Sequence, residues 1–470
     1  MFEFMDTKKP LYRRLTDALS ARFAYASVLA EAHADRSWSI SRSGASISTR
    51  GMTGGTGCVA RVFDDLGCLE YSFNELEEES VPVIVLKMEE MSRRERGLLP
   101  AGTRPLPTPL PEETPACFRR ETAWKTDPWE LGDEAILEKL RSVRETGLAV
   151  EGILDVNVRV NCKRYRQIFL SAARDLDQTV LQMSGSVTAL AVRGQEIKYY
   201  SRPYSILGGA EMLETLGSDV EDVCRAALEL LDSEPMVPGE YECVCDPAVT
   251  GMIVHEAFGH GVEMDMFVKD RAQARQFVGR RVASDLVTMH DGSAVGEVAT
   301  RFFDEEGSLT TDTVIIDHGI LKQGISDALS AARLGTAPTG NGRRESYERK
   351  AYTRMTNTYF EAGTSTPEEM IASVKYGFLL QNPASGMEDP KNWGIQLMVN
   401  VAREIRDGKL TGRIFSPIVL TGYVPDLLKS VSMMGRDVEL SGSGHCGKGY
   451  KEWVKVSDGG PYMKARIRLG

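Results

Sequence analysis

Residues 233–261 read SEPMVPGEYECVCDPAVTGMIVHEAFGHG. Pro235, Pro238 and Gly239 interrupt the helical pattern of Val220–Leu231, because proline lacks the N–H that a continuing helix needs. A domain boundary is therefore expected near Pro235–Gly239, dividing the chain into 1–235 and 236–470. Beyond it, Asp246 is a good N-cap and Pro247 suits the first helical position, so a helix is expected to start there. His255 and Glu256 then lie well inside that helix. Cys243 and Cys245 form a C-x-C pair that can bind metal, but they read better as two buried cysteines at a strand end.

Working outward, residues 148–200 contain GILDVNVRVNCKR, RQIFLSAARDLDQ and VTALAVRGQEIKYYS, whose alternation predicts an antiparallel meander. Asp133–Glu145, Leu11–Ala21 and residues 79–96 have helical spacing, with Pro82 limiting where the last can begin. Trp38–Thr49, Cys58–Phe63 and Cys68–Phe73 read as strands. Glycines 51, 54, 55 and 57 precede the strand Cys58–Phe63, whereas a phosphate loop would lead into a helix, so they read as a hairpin. Prolines at 100, 105, 107, 109, 111 and 115 predict an extended linker or surface loop.

After the His255 helix the chain is rich in glycine and short strands, the pattern of a barrel or curled sheet. Thr366–Ser373 is a further helix start, with Pro367 early and Glu368-Glu369 in the first turn. The expected class is α+β with two domains. The N-terminal one carries an antiparallel or mixed sheet with helices, and the C-terminal one is β-rich, barrel-like and holds the metal helix.

A chain of 470 residues exceeds what one core usually supports. A net charge of −11 lacks the basic face of a nucleic-acid binder, and no stretch approaches the ~18 apolar residues of a membrane span. MFEFMDTKKPLYRR has neither the apolar core nor the cleavage site of a signal peptide. The eight cysteines are too scattered for a disulfide framework. A cytoplasmic protein with reduced thiols is expected.

Histidine is sparse, six in the whole chain, and two of them flank Glu256 and Gly259 in one helix. In the familiar zinc-peptidase helix H-E-x-x-H the two histidines are four apart and share a face. His255 and His260 are five apart, which on a regular helix sets their side chains roughly 140° apart. A one-residue π-bulge restores the four-residue geometry, and Gly259 can permit that distortion or end the regular helix. The pair is therefore a coincidence of two core histidines or a bulged metal helix.

A catalytic zinc commonly takes three protein ligands and keeps one position open. Ser441-Gly-Ser-Gly-His-Cys-Gly-Lys-Gly449 supplies Cys446, expected in an irregular exposed loop, with Lys448 nearby favouring the thiolate. Glu256 is then the general base, and Glu263 and Asp265 are candidates to orient an imidazole.

The segment His255-Glu-Ala-Phe-Gly-His-Gly-Val-Glu-Met-Asp265 resembles the H-E-x-x-x-H segment of the TldD/PmbA family, its TldD branch in particular. So do Arg343-Arg344-Glu-Ser-Tyr347, Arg354-Met-Thr-Asn357, Cys446-Gly-Lys448 and the closing VKVSDGGPYMKAR stretch, in the same order. The resemblance implies a zinc metallopeptidase with His255, His260 and Cys446 as ligands and Glu256 as base. It implies a two-domain α+β architecture and a dimer enclosing an inner chamber, either a homodimer or a heterodimer with a PmbA-like subunit. Its implied substrates are unfolded or small peptides, including precursors of modified peptide antibiotics and antitoxins. His445, beside Cys446, is a candidate to tune or compete for the metal.

Arg354 or Tyr352 can polarise a scissile carbonyl or bind a peptide carboxylate, with Arg343 and Arg344 in the same region. For each singly, loop packing is the plainer role. His33, His290 and His318 read as surface or hydrogen-bonded histidines. The rival readings are a non-catalytic partner or scaffold subunit, and a binding module whose zinc is structural, with His445 as a fourth ligand.

Overall fold

The computed structural model of the chain describes residues 1–49, 55–64, 66–98, 108–293, 295–442, 444–448 and 451–470. Glycines 51 and 54 and prolines 100, 105 and 107 therefore lie outside the described residues, while 108–115 is irregular, as the prolines there require.

In the first half, α1 (Phe4–Ser20) leads into β1 (Tyr25–Ser41), β2 (Gly44–Ser48), β3 (Gly55–Phe63) and β4 (Cys68–Phe73). Helix α2 (Ser80–Leu98), β5 (Ala116–Glu121) and α3 (Asp133–Leu148) follow, then β6 (Ile153–Ser171), β7 (Arg174–Arg193), β8 (Glu196–Ile206) and α4 (Val220–Glu229). The strands form one sheet in the order β4-β3-β1-β6-β7-β5, with β2 added to β1 and β8 to β7. Strands β6, β7 and β8 are the expected antiparallel meander, whereas β5 pairs parallel to β7. Helix α1 begins at Phe4 rather than Leu11 and runs through the exposed Pro10, because Met5 is already anchored in the core.

Side chains alternate across a strand, so one face of this sheet is apolar and the other is not. Val28, Ala30, Ile168 and Leu170 bury against α1 and α2, and Trp38, Val158 and Val160 bury against α3 and α4. The opposite face presents Glu31, His33, Lys163 and Tyr165, and its few apolar residues, such as Leu29 and Phe169, pack on Phe303 and Tyr347 of the second half.

The second half opens with β9 (Gly239–Cys245) and α5 (Pro247–Val254), followed by β10 (Met289–Gly292), β11 (Asp312–Asp317), β12 (Asn357–Phe360) and α6 (Pro367–Ala372). Next come β13 (Tyr376–Asp389), β14 (Gly394–Arg406), β15 (Lys409–Phe415) and β16 (Ile418–Tyr423). The chain closes with β17 (Glu439–Ser441), β18 (His445–Lys448), β19 (Lys451–Lys455), β20 (Ser457–Gly460) and β21 (Met463–Leu469). Strands β13, β9, β21, β16 and β14 pair in sequence, and β14 returns to β13, closing a five-stranded barrel. Closure leaves these strands no open edge. Cys243 and Cys245 are fully buried in the same core as Leu380, Leu397, Leu420 and Ile467, so the C-x-C pair is structural. Among the described residues no helix is long and apolar enough to cross a membrane.

A second sheet runs β11-β10-β12-β20-β17. Helix α5 packs between β20 of this sheet and β13 of the barrel, and the contact with β20 is very close. A Cβ at Gly251 would lie 2.7 Å from the Gly459 nitrogen and 2.8 Å from Asp458 Oδ1. Gly251→Val is accordingly expected to cost about 1–3 kcal/mol or more through overpacking. A lower urea midpoint at unchanged slope is the check.

Candidate metal centre

The local sequence explains how α5 delivers its histidines. Asp246 caps the helix, its Oδ1 accepting from the Val249 N–H at 2.8 Å, and Pro247 sits in the first turn. Regular α-helix ends at Val254, and His255–Gly259 form a π-turn in which the His260 N–H donates to the His255 carbonyl. That extra residue in the turn brings His260 round to the side of His255. Gly259 keeps an ordinary helical φ of −60°, so its role is space rather than backbone freedom. A Cβ there would fall 2.0 Å from Met355 Sδ.

Cys446 reaches this turn from β18. Its Sγ lies 3.2 Å from His255 Nε2 and 3.2 Å from His260 Nε2, and the three ligand atoms all fall within 4.8 Å of one another. The two imidazoles stand nearly perpendicular, at 88°. Cys446 is 7% exposed and pairs with Val454 across a hairpin, so the expected exposed loop is instead a strand that buries the cysteine. Burial alone would raise its thiol pKa, but the facing His260 and His255 imidazoles outweigh it and hold the thiol well below its ordinary value. Two imidazole nitrogens and a thiolate converging on one point make a donor set able to hold a divalent transition metal.

Lys448 does not serve the thiolate as the sequence suggested. Its ammonium binds Glu263 at 2.7 Å and Asp265 at 2.9 Å. Glu263 in turn places Oε1 3.6 Å from His260 Nδ1, whereas Asp265 pairs with Lys448 and Lys269 and has no contact to either imidazole. Arg354 is 1% exposed and is a fastener: it donates to the carbonyls of Cys446 (2.8 Å) and Glu452, with Nε 3.4 Å from Glu263 Oε1. Buried and held by these contacts, it presents no exposed face to a peptide carbonyl or carboxylate. Tyr352 lies under the Lys448 and Lys269 ammonium groups, each 5.9 Å from its ring. Arg344 binds Glu70 of β4 at 2.7 Å and so ties the two halves together. Arg343 donates to the Met355 carbonyl at 2.6 Å. His445 precedes Cys446 on the strand and lines a cavity with Lys163 and Lys455.

Two acids at the site are not marked by local spacing, although Asp458 lies in the closing VKVSDGGPYMKAR stretch. Asp458 of β20 lies 3.9 Å from His255 Nδ1, and burial raises its pKa to about 6 against the pull of His255. Glu388 of β13 has both carboxyl oxygens buried without a hydrogen-bond partner. Burial holds its pKa well above the carboxylate range, opposed by His260 and reinforced by Glu256 and Glu263. Glu256 is buried, and a Cβ at Gly386 would fall 2.5 Å from its Cγ, so that glycine makes room for it. A carboxyl kept protonated near a second carboxyl is a recurrent arrangement for acid–base work. Asp458 and Glu388 come from strands far along the chain, which no local spacing reveals.

The other histidines divide. His290 sits between Asp312 (3.0 Å) and Glu361 (2.8 Å), and His318 contacts the Asp285 carbonyl at an exposed turn. His33 is not at the surface: its side chain is buried against Tyr165, 3.3 Å from Glu31.

Known proteins place this geometry in context. Residues 238–467 match the family described as PmbA/TldA metallopeptidase C-terminal domain. A protein of Methanothermobacter thermautotrophicus named metalloprotease is 28% identical over 323 residues, covering 68% of this chain and 70% of the relative. A metalloprotease TldD homolog of Buchnera aphidicola is 34% identical over 246 residues, covering 52% of this chain and 50% of the relative. A zinc metalloprotease TldD homolog of Saccharolobus solfataricus is 30% identical over 249 residues, covering 52% and 55%. The alignment thus spans about half the length of these TldD homologs. The fold is shared along nearly the whole chain with a Thermotoga maritima structure (TM-score 0.78, 16% identity, 97% and 99% covered). It is shared likewise with TldE from Thermococcus kodakarensis (TM-score 0.73, 18% identity, 97% and 99% covered). The matched domain, the named relatives and the shared fold agree that this chain belongs to the TldD/PmbA family.

Proposed function

We propose that the chain is a TldD-type zinc peptidase acting on unfolded or small peptides, with His255, His260 and Cys446 as ligands and Glu256 as general base. The observation that carries this reading is the convergence of three donor atoms within 4.8 Å, one of them the neighbour of Glu256. Around a tetrahedral zinc, with Zn–S about 2.3 Å and Zn–N about 2.0–2.1 Å, sulfur and nitrogen sit about 3.5 Å apart. The observed 3.2 Å is a few tenths of an ångström shorter, a gap that side-chain rotation closes.

Bound zinc supplies the Lewis acidity that makes a water nucleophilic near neutral pH and polarises the scissile carbonyl. Glu256 takes the proton of the attacking water and passes it to the leaving amine. Glu263 steadies His260, while Arg354 fixes the strand that carries Cys446. An extended peptide can run along a sheet edge of the second half, binding through its backbone and so tolerating many sequences. Eight free cysteines suit a reducing compartment such as the cytoplasm. A homodimer, or a heterodimer with a PmbA-like subunit, is the proposed working form.

The scaffold-subunit reading is disfavoured because all three ligands and Glu256 are present. The structural-zinc reading needs a fourth ligand. His445, adjacent to Cys446 on a strand, faces the neighbouring cavity instead.

Cys446→Ser tests the ligand set. Wild type is expected to hold one zinc per chain and to cleave unstructured peptides, whereas the variant loses metal affinity by at least 10–100-fold and loses cleavage. Stoichiometric zinc in Cys446→Ser would remove the cysteine from the set. A zinc-loaded wild type that cleaves no unstructured peptide would return the site to a binding role.

A further inference from the structure

The polar face of the N-terminal sheet and the β18–β19 hairpin enclose a cavity of about 350 Å³. His33, Lys163 and Tyr165 line it from the sheet, and Arg343, His445 and Lys455 line it from the second half. It adjoins the metal centre: His445 immediately precedes Cys446, and Val454, the cross-strand partner of Cys446, is also part of the wall.

The charges in this wall do not cancel locally. Arg343 is 3% exposed, gives one Nη to the Met355 carbonyl, and leaves its Nε without a partner. Lys455 is 9% exposed and, among the described residues, has only the Ser184 hydroxyl, at 3.3 Å. Neither has a carboxylate within ion-pair distance among the described residues. Tyr165, 4% exposed, also has an unpartnered hydroxyl. Of the acids in the wall, Glu305 pairs with Arg301 through Oε1 but leaves its buried Oε2 without a hydrogen-bond partner among the described residues. Glu31 accepts from Gln167 and from the Tyr347 N–H, and Asp35, beside Lys163, likewise keeps a buried Oδ1 without a partner. Burying cations without counter-charge is unfavourable. Burial draws Lys455 down to about 7, and draws Arg343 down to about 9 with Arg301 adding to the effect. An anion seated among these groups relieves that cost and satisfies the idle donors.

We infer that this cavity is a carboxylate-binding subsite for the peptide, with Arg343 and Lys455 taking the oxygens and Tyr165 donating its hydroxyl. The inference rests on the peptidase reading and adds to it a substrate class: peptides that carry a carboxylate to one side of the cleaved bond. That carboxylate is either the chain terminus or an acidic side chain beside it.

The probes are the heptapeptide Ala-Gly-Ala-Gly-Ala-Gly-Ala as free acid, the same peptide as C-terminal amide, and the amide with glutamate as its last residue. Binding of each to zinc-loaded Glu256→Gln protein is measured by calorimetry, so the readout does not depend on turnover. The free acid is expected to bind at least tenfold more tightly than the plain amide. Arg343→Met and Lys455→Met, checked for zinc content and circular dichroism, should each abolish most of that difference. Tyr165→Phe, which keeps the packing, should weaken the free acid severalfold and leave the plain amide unchanged. Restored affinity in the glutamate amide assigns the carboxylate to a side chain; otherwise it is the terminus. Equal affinity for all three peptides, or no binding of any, overturns the inference. If wild type cleaves none of them while the acid–amide difference persists, the peptidase reading falls and the carboxylate site stands.

Discussion

Glu256→Gln is expected to keep one zinc per chain and to lose peptide hydrolysis by about 10²–10⁴-fold, the usual contribution of a positioned general base. The substitution is close to isosteric, so the space left by Gly386 still accommodates the side chain, and neither imidazole nor the thiolate is altered. The loss should fall on kcat, with KM little changed, because the carboxylate acts in the transition state and not in holding the peptide. Zinc analysis and steady-state kinetics on one preparation check both halves. Wild-type turnover in this variant would remove Glu256 as base and turn attention to Glu388, whose buried carboxyl faces the same region.

Arg354→Met should be the most damaging single change away from the ligands. It strips two donors from the carbonyls of Cys446 and Glu452 and leaves Glu263, 3% exposed at its side chain, with Lys448 as its remaining cation at ion-pair distance. Removing one partner of a buried ionic cluster typically costs about 3–5 kcal/mol. Loss of the clamp on the Cys446 strand should also weaken zinc by roughly 10–100-fold, as removing outer supports of metal ligands does. Denaturant unfolding and zinc competition with a chelator measure the two effects. A variant of wild-type stability and zinc affinity that fails only in peptide binding would restore Arg354 as a substrate ligand.

Features encoded over a few residues were readable from the sequence. Asp246-Pro247 starts α5, Thr366 and Glu369 form a capping box at α6, and the meander over β6–β8 follows its alternation. The five-residue histidine spacing demanded a distortion, and the π-turn occurs at that place. What escaped is long-range. The barrel closes because β9 finds strands more than a hundred residues downstream, and no local pattern announces that pairing. The glycines around Cys446 suggested an exposed loop. Gly442 instead admits Val298 ahead of the hairpin, and Gly447 admits Trp453 within the hairpin that buries Cys446. Asp458 and Glu388 look like ordinary acids until the fold brings them to the imidazoles.

The ligands are separated by 191 residues, from His255 to Cys446. At synthesis rates of about 5–20 residues per second, the cysteine follows the histidines off the ribosome by roughly 10–40 s. The hairpin bearing it is held by Arg354, itself made well after the histidines, and lies just before β21, a barrel stave. A nascent chain therefore lacks the complete donor set until the segment carrying Cys446 has been made. On the peptidase reading, the order of synthesis alone keeps the earlier-made histidine helix from acting on peptides before the Cys446 strand arrives.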